Sequence, residues 1–356
     1  MWPDQRIQEL FGIEIPIIQA PMAGPCHYEM VIEVSEAGGL GSLPCATLTP
    51  EQVRTELGLI RQQITKPFSV NFFSHTSPTP DPAREAGWRK RLEPYYREAG
   101  IDPAAPIPSS NRAPFDDELC TIVEEFRPPI VSFHFGLPEK TLLDRVRATG
   151  AKVLSSATTV DEARWLEDHG CDAIIAQGFE AGGHRGVFLT DDIATQIGTF
   201  ALVPQVVDAV KVPVIATGGI TDARGIVAAF ALGAAAVQIG TAYMFTPQAR
   251  MPAPHAAALR SPDADKTALT NLFTGRPARG IVNRLMREVG PISELAPAFP
   301  LAGGALAPLR AKTEPQGSGD FMSLWSGQAA RLGRDASSAG ELTKRLAAEA
   351  LAKLGR

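Results

Sequence analysis

No stretch of the chain gathers five or more lysines and arginines, and the formal net charge is −5. A protein that grips a phosphate backbone needs a basic stripe, so nucleic acid is not an expected partner. Nowhere do 18 apolar residues follow one another, which excludes the hydropathy pattern of a membrane-spanning helix. The opening MWPDQRIQEL has neither the basic start nor the apolar centre of a signal peptide. Cysteine is sparse: Cys26, Cys45, Cys120 and Cys171 lie far apart with no CxxC spacing, so dithiol chemistry is not expected and a reducing cytoplasm is the expected compartment. HxH and HExxH pairs are also missing, and few acidic residues stand where a divalent cation would need them, which argues against a metal centre.

What remains is an ordinary globular composition, 44% hydrophobic and 21% charged over 356 residues, enough for a large core. Eight short runs rich in Val, Ile and Phe recur: Ile15 to Ala20, Leu40 to Cys45, Phe68 to Phe73, Ile130 to Phe135, Lys152 to Ser156, Ala173 to Ala176, Pro213 to Thr217 and Ala236 to Gly240. They do not alternate apolar with polar and read as buried parallel strands. Helical stretches with Thr/Asp or acidic starts separate most of them, as at Thr49, Thr159 and Thr221. Eight β-α units in roughly 240 residues predict an α/β fold, a (β/α)8 TIM barrel whose site gathers at the C-terminal ends of the strands. A doubly wound open sheet is the competing fold, but the first strand is followed by APMAG, Ala20 to Gly24, and no GxGxxG. The barrel is expected over residues 1–244, interrupted by an extended loop after the third strand, about 74–117. A mainly helical lid or capping segment is expected over 245–356, ending in an amphipathic helix from Ala339 to Leu354.

The most informative stretch is QGFEAGGHRG, Gln177 to Gly186, because it follows a buried strand and holds almost no packing side chains. Glycines let backbone approach a ligand closely, and clustered polar groups on a loop mark sites more often than turns. The seventh and eighth runs end in TGGI, Thr217 to Ile220, and QIGT, Gln238 to Thr241. Barrels commonly place a phosphate there, and Gly218, Gly219, Gly240 and Thr241 supply the donors. Asn71, Gln177 and Gln238 offer amides that donate and accept, as an isoalloxazine edge demands, and Met22 offers a soft side chain to a flat ring. His134, at the end of the fourth run, has a pKa suited to holding or taking a proton. His27, His75 and His184 also follow strand ends; His184 is expected beside substrate or cofactor, whereas His169 and His255 are expected on the surface.

These residues give the chain a resemblance to the nitronate monooxygenases, formerly 2-nitropropane dioxygenases, of class I. IIQAPMAG from Ile17, VNFF from Val70, VSFHFGLP from Val131 and EAGGHRG from Glu180 are similar to the four motifs of that class, and MSLWSGQ from Met322 is similar to its C-terminal lid. The resemblance implies non-covalent FMN and oxidation of alkyl nitronates, propionate 3-nitronate foremost, by O2 to a carbonyl compound and nitrite. It implies that Asn71, Gln177, Gly182, Gly219, Gln238, Ile239, Gly240 and Thr241 hold FMN, and that His134 is catalytic. A small molecule and O2 are then the partners of a monomer or homodimer. The same barrel could serve an FMN-dependent NAD(P)H reductase of quinones or enoyl thioesters, or a flavin-binding module without turnover.

Overall fold

The computed structural model describes residues 1–108 and 112–355. Eight parallel strands alternate with helices: β1 (Ile17–Gln19), β2 (Gly41–Pro44), β3 (Phe68–Phe73), β4 (Ile130–His134), β5 (Lys152–Ala157), β6 (Ala173–Gln177), β8 (Val214–Thr217) and β9 (Ala236–Ile239). They pair in the order β1-β9-β8-β6-β5-β4-β3-β2. A parallel bridge between Ile18 and Leu40 brings the two ends of this sheet together, so the sheet closes into a barrel and the open-sheet alternative falls. The remaining strands, β7 (Gly183–His184), β10 (Thr267–Thr270) and β11 (Ala278–Ile281), form a small antiparallel sheet in the order β10-β11-β7.

The helices begin where short polar side chains can cap bare amides. Thr49 and Gln52 form a reciprocal capping box for the helix Pro50–Gln63. Thr159 accepts from Glu162 N at the start of Val160–Asp168, and Asp222 accepts from the amides of Arg224 and Gly225 at the start of Ala223–Ala231.

Inside the barrel the strands follow a period of two that their apolar composition hides. Inward positions near the N-terminal end are apolar: Ile18, Leu40, Ile130, Leu154, Ile175 and Ile215 pack with Ile7 and Phe11 of the first helix, Arg6–Phe11, which plugs that end. Two residues further along each strand the same inward face turns polar, giving Ser132 then His134 in β4, Ser156 in β5, Gln177 in β6, Thr217 in β8 and Gln238 in β9, all of which border one cavity. The outward residues, such as Val131, Phe133, Val153, Ile174 and Ala216, pack under the surrounding helices.

Over the cavity sits a second apolar cluster. Trp88, Leu92, Tyr95 and Tyr96 of the helix Pro82–Glu98 pack with Leu272, Phe273, Leu285, Met286, Leu306 and Leu309 from the C-terminal part of the chain. Trp88 Nε1 donates to Ala302 O at 3.1 Å, which satisfies the indole of a fully buried side chain. The insertion and the C-terminal segment therefore share one core. The last helix, Ala339–Lys353, returns to the barrel wall. It packs on the helices Tyr28–Glu36 and Ala223–Ala231, and Leu342, Leu346 and Ala350 join the outer barrel core. Among the described residues no helix is long and apolar enough to cross a membrane.

Candidate active site

The Gly-rich loop leaves β6 under tight constraint. A Cβ on Gly178 would lie 1.8 Å from Thr199 Oγ1 and 2.5 Å from Thr199 Cα, so no other residue fits there. Arg185, fully buried, holds the loop closed: its guanidinium donates to Gly178 O and Gln177 O at 2.7 Å each and to Gln196 Oε1 at 2.8 Å. Burial, with the nearby charge of Arg279 second, pushes its pKa down to about 9. Glu180 accepts from both the amide and the hydroxyl of Thr199 at 2.8 Å. These two charged residues thus shape the loop. Further along, β7 joins the loop to the antiparallel sheet, with His184 opposite Ala278 in β11.

The loop presents His184 O to two partners. Gln177 Nε2 donates to it at 2.9 Å and His134 Nε2 at 3.2 Å, while Gln177 Oε1 accepts from Gly186 N at 2.7 Å. A carbonyl only accepts, so this contact assigns the His134 proton to Nε2 and the lone pair to Nδ1, which faces Ser156 Oγ at 3.1 Å. A Cβ on Gly186 would stand 2.9 Å from Ser156 Cβ and 3.0 Å from His134 Cε1, so glycine lets the backbone lie against the His134–Ser156 pair. Burial drives the His134 pKa down to about 4, and the charges of Arg276 and Arg185 push the same way. Asn71 Nδ2 donates to Ser132 Oγ at 2.8 Å.

Beside His134 the backbone is strained. Phe135 takes φ 71°, which a bulky residue adopts at a cost of about 1–3 kcal/mol. Its ring is held by Phe73 and Phe299, with centroids at 4.9 and 5.4 Å, and by the Arg276 guanidinium 4.1 Å above it. The strain turns the chain sharply at the end of β4 and leaves His134 as the last strand residue.

Met22, Asn71, His134, Gln177, Gly182, His184, Gly219, Gln238, Gly240 and Thr241 all border one cavity of about 690 Å³. Ile239 does not: its side chain is buried in the outer barrel core, and its carbonyl accepts from Ala20 N at 2.8 Å. The parity of β9 makes the reason plain, since Gln238 faces inward and its neighbour must face out. His255, expected on the surface, is buried and borders the cavity, with Nε2 bonded to Trp325 O at 3.0 Å. His75 is also buried and packs edge-on against Phe299, whereas His169 is exposed. His184 Nε2 meets Thr274 Oγ1 at 2.9 Å. Ser132, Ser156, Phe73 and Thr274 escaped the sequence reading; inward parity in β3, β4 and β5 is the signal that finds the first three. The segment Met322 to Gly327 borders the same cavity, and its Gly327 N donates to Thr241 Oγ1 at 3.0 Å. Among the described residues no group of three or more His, Cys, Asp or Glu could hold a metal ion.

The family model "Nitronate monooxygenase" matches residues 4–349. The chain belongs to the nitronate monooxygenase family. It is 41% identical over 346 residues to the nitronate monooxygenase of Pseudomonas aeruginosa, covering 97% of this chain and 98% of that one. To the nitronate monooxygenase of Paraburkholderia phytofirmans it is 39% identical over 328 residues, covering 91% and 89%. The solved structure of nitroalkane oxidase from Streptomyces ansochromogenes superposes with a TM-score of 0.89 at 38% identity, covering 98% and 99%. The protein is accordingly an oxidoreductase of the nitronate monooxygenase class, built on the barrel described above.

The buried histidines of this family member carry a pH consequence. His134 and His75 titrate near 4, His184 well below its ordinary value and His255 below it, in each case chiefly because burial disfavours the charged ring. The unfolded chain takes up protons near pH 6.5, and in the fold His134 and His75 refuse them until about pH 4. Stability is therefore complete above 6.5 and falls as the pH drops toward 4, by roughly 3 kcal/mol at pH 4 for a residue shifted this far. Thermal unfolding of the protein is expected to show that steep acid limb, and His75→Phe, which keeps the aromatic packing, should make it shallower. A melting temperature unaltered between pH 6.5 and 4.5 would contradict neutral burial.

Proposed function

We propose that the cavity holds FMN and that the protein oxidises alkyl nitronates, propionate 3-nitronate foremost, with O2 to a carbonyl compound and nitrite. The observation that carries this reading is the pair of turns at one end of the cavity. Gly218 and Gly219 have φ of 115° and 69°, and a Cβ on Gly218 would stand 2.7 Å from Thr199 Oγ1, so this turn belongs to glycine. The amides of Gly219 and Thr241 donate to no described carbonyl or side chain. Two open amides at the ends of adjacent strands suit a phosphate. Asn71, Gln177 and Gln238 border the same cavity with side-chain amides suited to a ring edge that has both donors and acceptors, and Met22 lies against Gly240.

When bound, FMN supplies the electron transfer between nitronate and O2. The chain's own residues bind, orient and manage the proton. His134 is neutral in the ligand-free site, held by His184 O on one nitrogen, with Ser156 on the other. A nitronate anion beside it works against desolvation and raises its proton affinity, so the ring becomes a cationic hydrogen-bond donor when the anion is present. With a neutral nitroalkane, the Nδ1 lone pair receives the α-proton, and the resulting imidazolium and nitronate stabilise each other. The aromatic surfaces of Phe73, Phe273 and Trp325 exclude water around this pair. Four free, buried cysteines suit a reducing compartment, and a cytoplasmic location forms part of the same proposal.

The test is anaerobic mixing of the yellow protein with propionate 3-nitronate, then separately with NADH and NADPH, with the visible flavin band followed. A change with nitronate alone, and nitrite on admitting air, is the expected result. A change only with a nicotinamide would move the protein to the reductases, and a colourless protein that rebinds no FMN would overturn the cofactor.

A further inference from the structure

The segment TGRPARG, Thr274 to Gly280, backs the Gly-rich loop. Thr274 Oγ1 meets His184 Nε2 at 2.9 Å, Pro277 O accepts from Arg185 N at 2.9 Å, and Ala278 pairs with His184 across the small sheet. The side chain of Arg276 reaches the end of β4 as well. Its guanidinium carbon lies 4.1 Å from the centroid of the Phe135 ring, and its Nη2 donates to Val187 O. Its Nε is buried and has no hydrogen-bond partner among the described residues. Burial lowers its pKa, against the attraction of Asp191 and Glu162. Burying a cation with an open N–H costs free energy that an apolar side chain of the same length would not. Packing alone therefore does not account for an arginine here.

The two residues that Arg276 grips belong to the two backbone stretches that frame His134. Phe135 follows it in the chain with φ 71°, its ring centroid 4.5 Å from that of the imidazole. Val187 follows Gly186, on which a Cβ would stand 3.0 Å from His134 Cε1. We infer that Arg276 is a positioning residue for the reaction: stacked on Phe135 and bonded to Val187 O, it holds the end of β4 against the Gly-rich loop and so keeps the His134 imidazole between His184 O and Ser156 Oγ. The inference rests on the reading of His134 as the residue that manages the substrate's proton. The charge of Arg276 acts on the same ring. The charged or titratable groups around His134 are Arg276, Arg185 and His184, while Ser156 and Phe73 face it from the adjacent strands without charge. Both arginines disfavour the imidazolium, so Arg276 helps to keep the ring in the form that accepts a proton.

The measurement pairs steady-state kinetics of the flavin-loaded full-length protein with NMR titration of its histidines, the His134 signal being assigned through His134→Asn. Arg276→Met keeps the apolar stem and removes both contacts and the charge. It is expected to lower kcat for a neutral nitroalkane about tenfold with little change in KM, and to raise the proton affinity of His134 about threefold or more. Arg276→Lys keeps the charge but not the planar fork that stacks and donates at once, so it should restore the His134 titration and only part of kcat. Phe135→Leu should lower kcat by a similar factor, and R276M/F135L should lose little beyond either single variant, since both remove one contact. An unaltered His134 titration and kcat in Arg276→Met would overturn the inference, as would fully additive losses in the double variant. Should Arg276→Met fail to fold or lose its flavin, full kcat in Arg276→Lys would overturn the clamp. If the wild type oxidises neither nitroalkane nor nitronate, the titration separates the two readings. A shifted His134 signal in Arg276→Met would then uphold the positioning role while the functional reading falls, and an unshifted one would overturn both.

Discussion

Gly219→Val is expected to yield a folded protein that purifies without its yellow colour. Gly219 has φ 69° and its missing Cβ would lie 3.2 Å from Glu180 Cβ. A β-branched residue in the left-handed region is a true outlier, and relieving it requires the turn to move. The open amide of Gly219 would then shift, and the added methyl groups would project beside the space proposed for the phosphate. Each amide and helix terminus contributes only about 0.3–1 kcal/mol by its dipole, so the site depends on several of them aiming at one point. Flavin per protein, read from visible absorbance against protein absorbance, should fall to a small fraction of wild type, with far-ultraviolet circular dichroism retained. Full flavin content would remove the phosphate from this turn.

His134→Asn is expected to leave flavin content intact and to lower nitronate turnover by roughly 10–150-fold. The figure follows from the 1.5–3 kcal/mol that a hydrogen bond to a charged group contributes when the partner has no substitute. With a neutral nitroalkane the loss should be larger, about 10²–10⁴-fold, because proton removal is lost as well. Ser156→Ala, which removes the group facing Nδ1 but keeps the ring, should fall between wild type and His134→Asn. Unaltered turnover of both substrates in His134→Asn would take the histidine out of the mechanism and reduce its contacts to structural ones. The same substitution removes one buried imidazole, so its acid limb of stability should be shallower than that of the wild type, which checks that the residue was buried neutral in the first place.

Much of this site was legible residue by residue. The TGGI and QIGT turns, the Gly-rich loop and His134 stand at strand ends, and strand ends can be read from an apolar run meeting glycine. What is not legible depends on which way a side chain faces. Ser132 and Ser156 lie within runs that look uniformly buried, and Ile239 lies between Gln238 and Gly240 in a motif that looks uniformly functional. Only the pleat separates them, because neighbours in a strand point to opposite faces. His255 differs for another reason: it lies beyond the eight strand runs, in the helix Ala253–Arg260, and its hydrogen-bond partner, Trp325, is far away in sequence.

By itself the sequence determined the order of strands and helices, the capped starts at Thr49 and Thr159, the glycine turns and the family to which the chain belongs. These follow from local chemistry: apolar runs bury, glycine permits positive φ, and threonine or aspartate satisfies open amides. The tertiary structure alone decided the tautomer of His134, the closure of the Gly-rich loop by Arg185, and the shared core of the insertion and the C-terminal segment. Each of these joins groups far apart in the chain, and their desolvation and mutual distance exist only once the fold has brought them together.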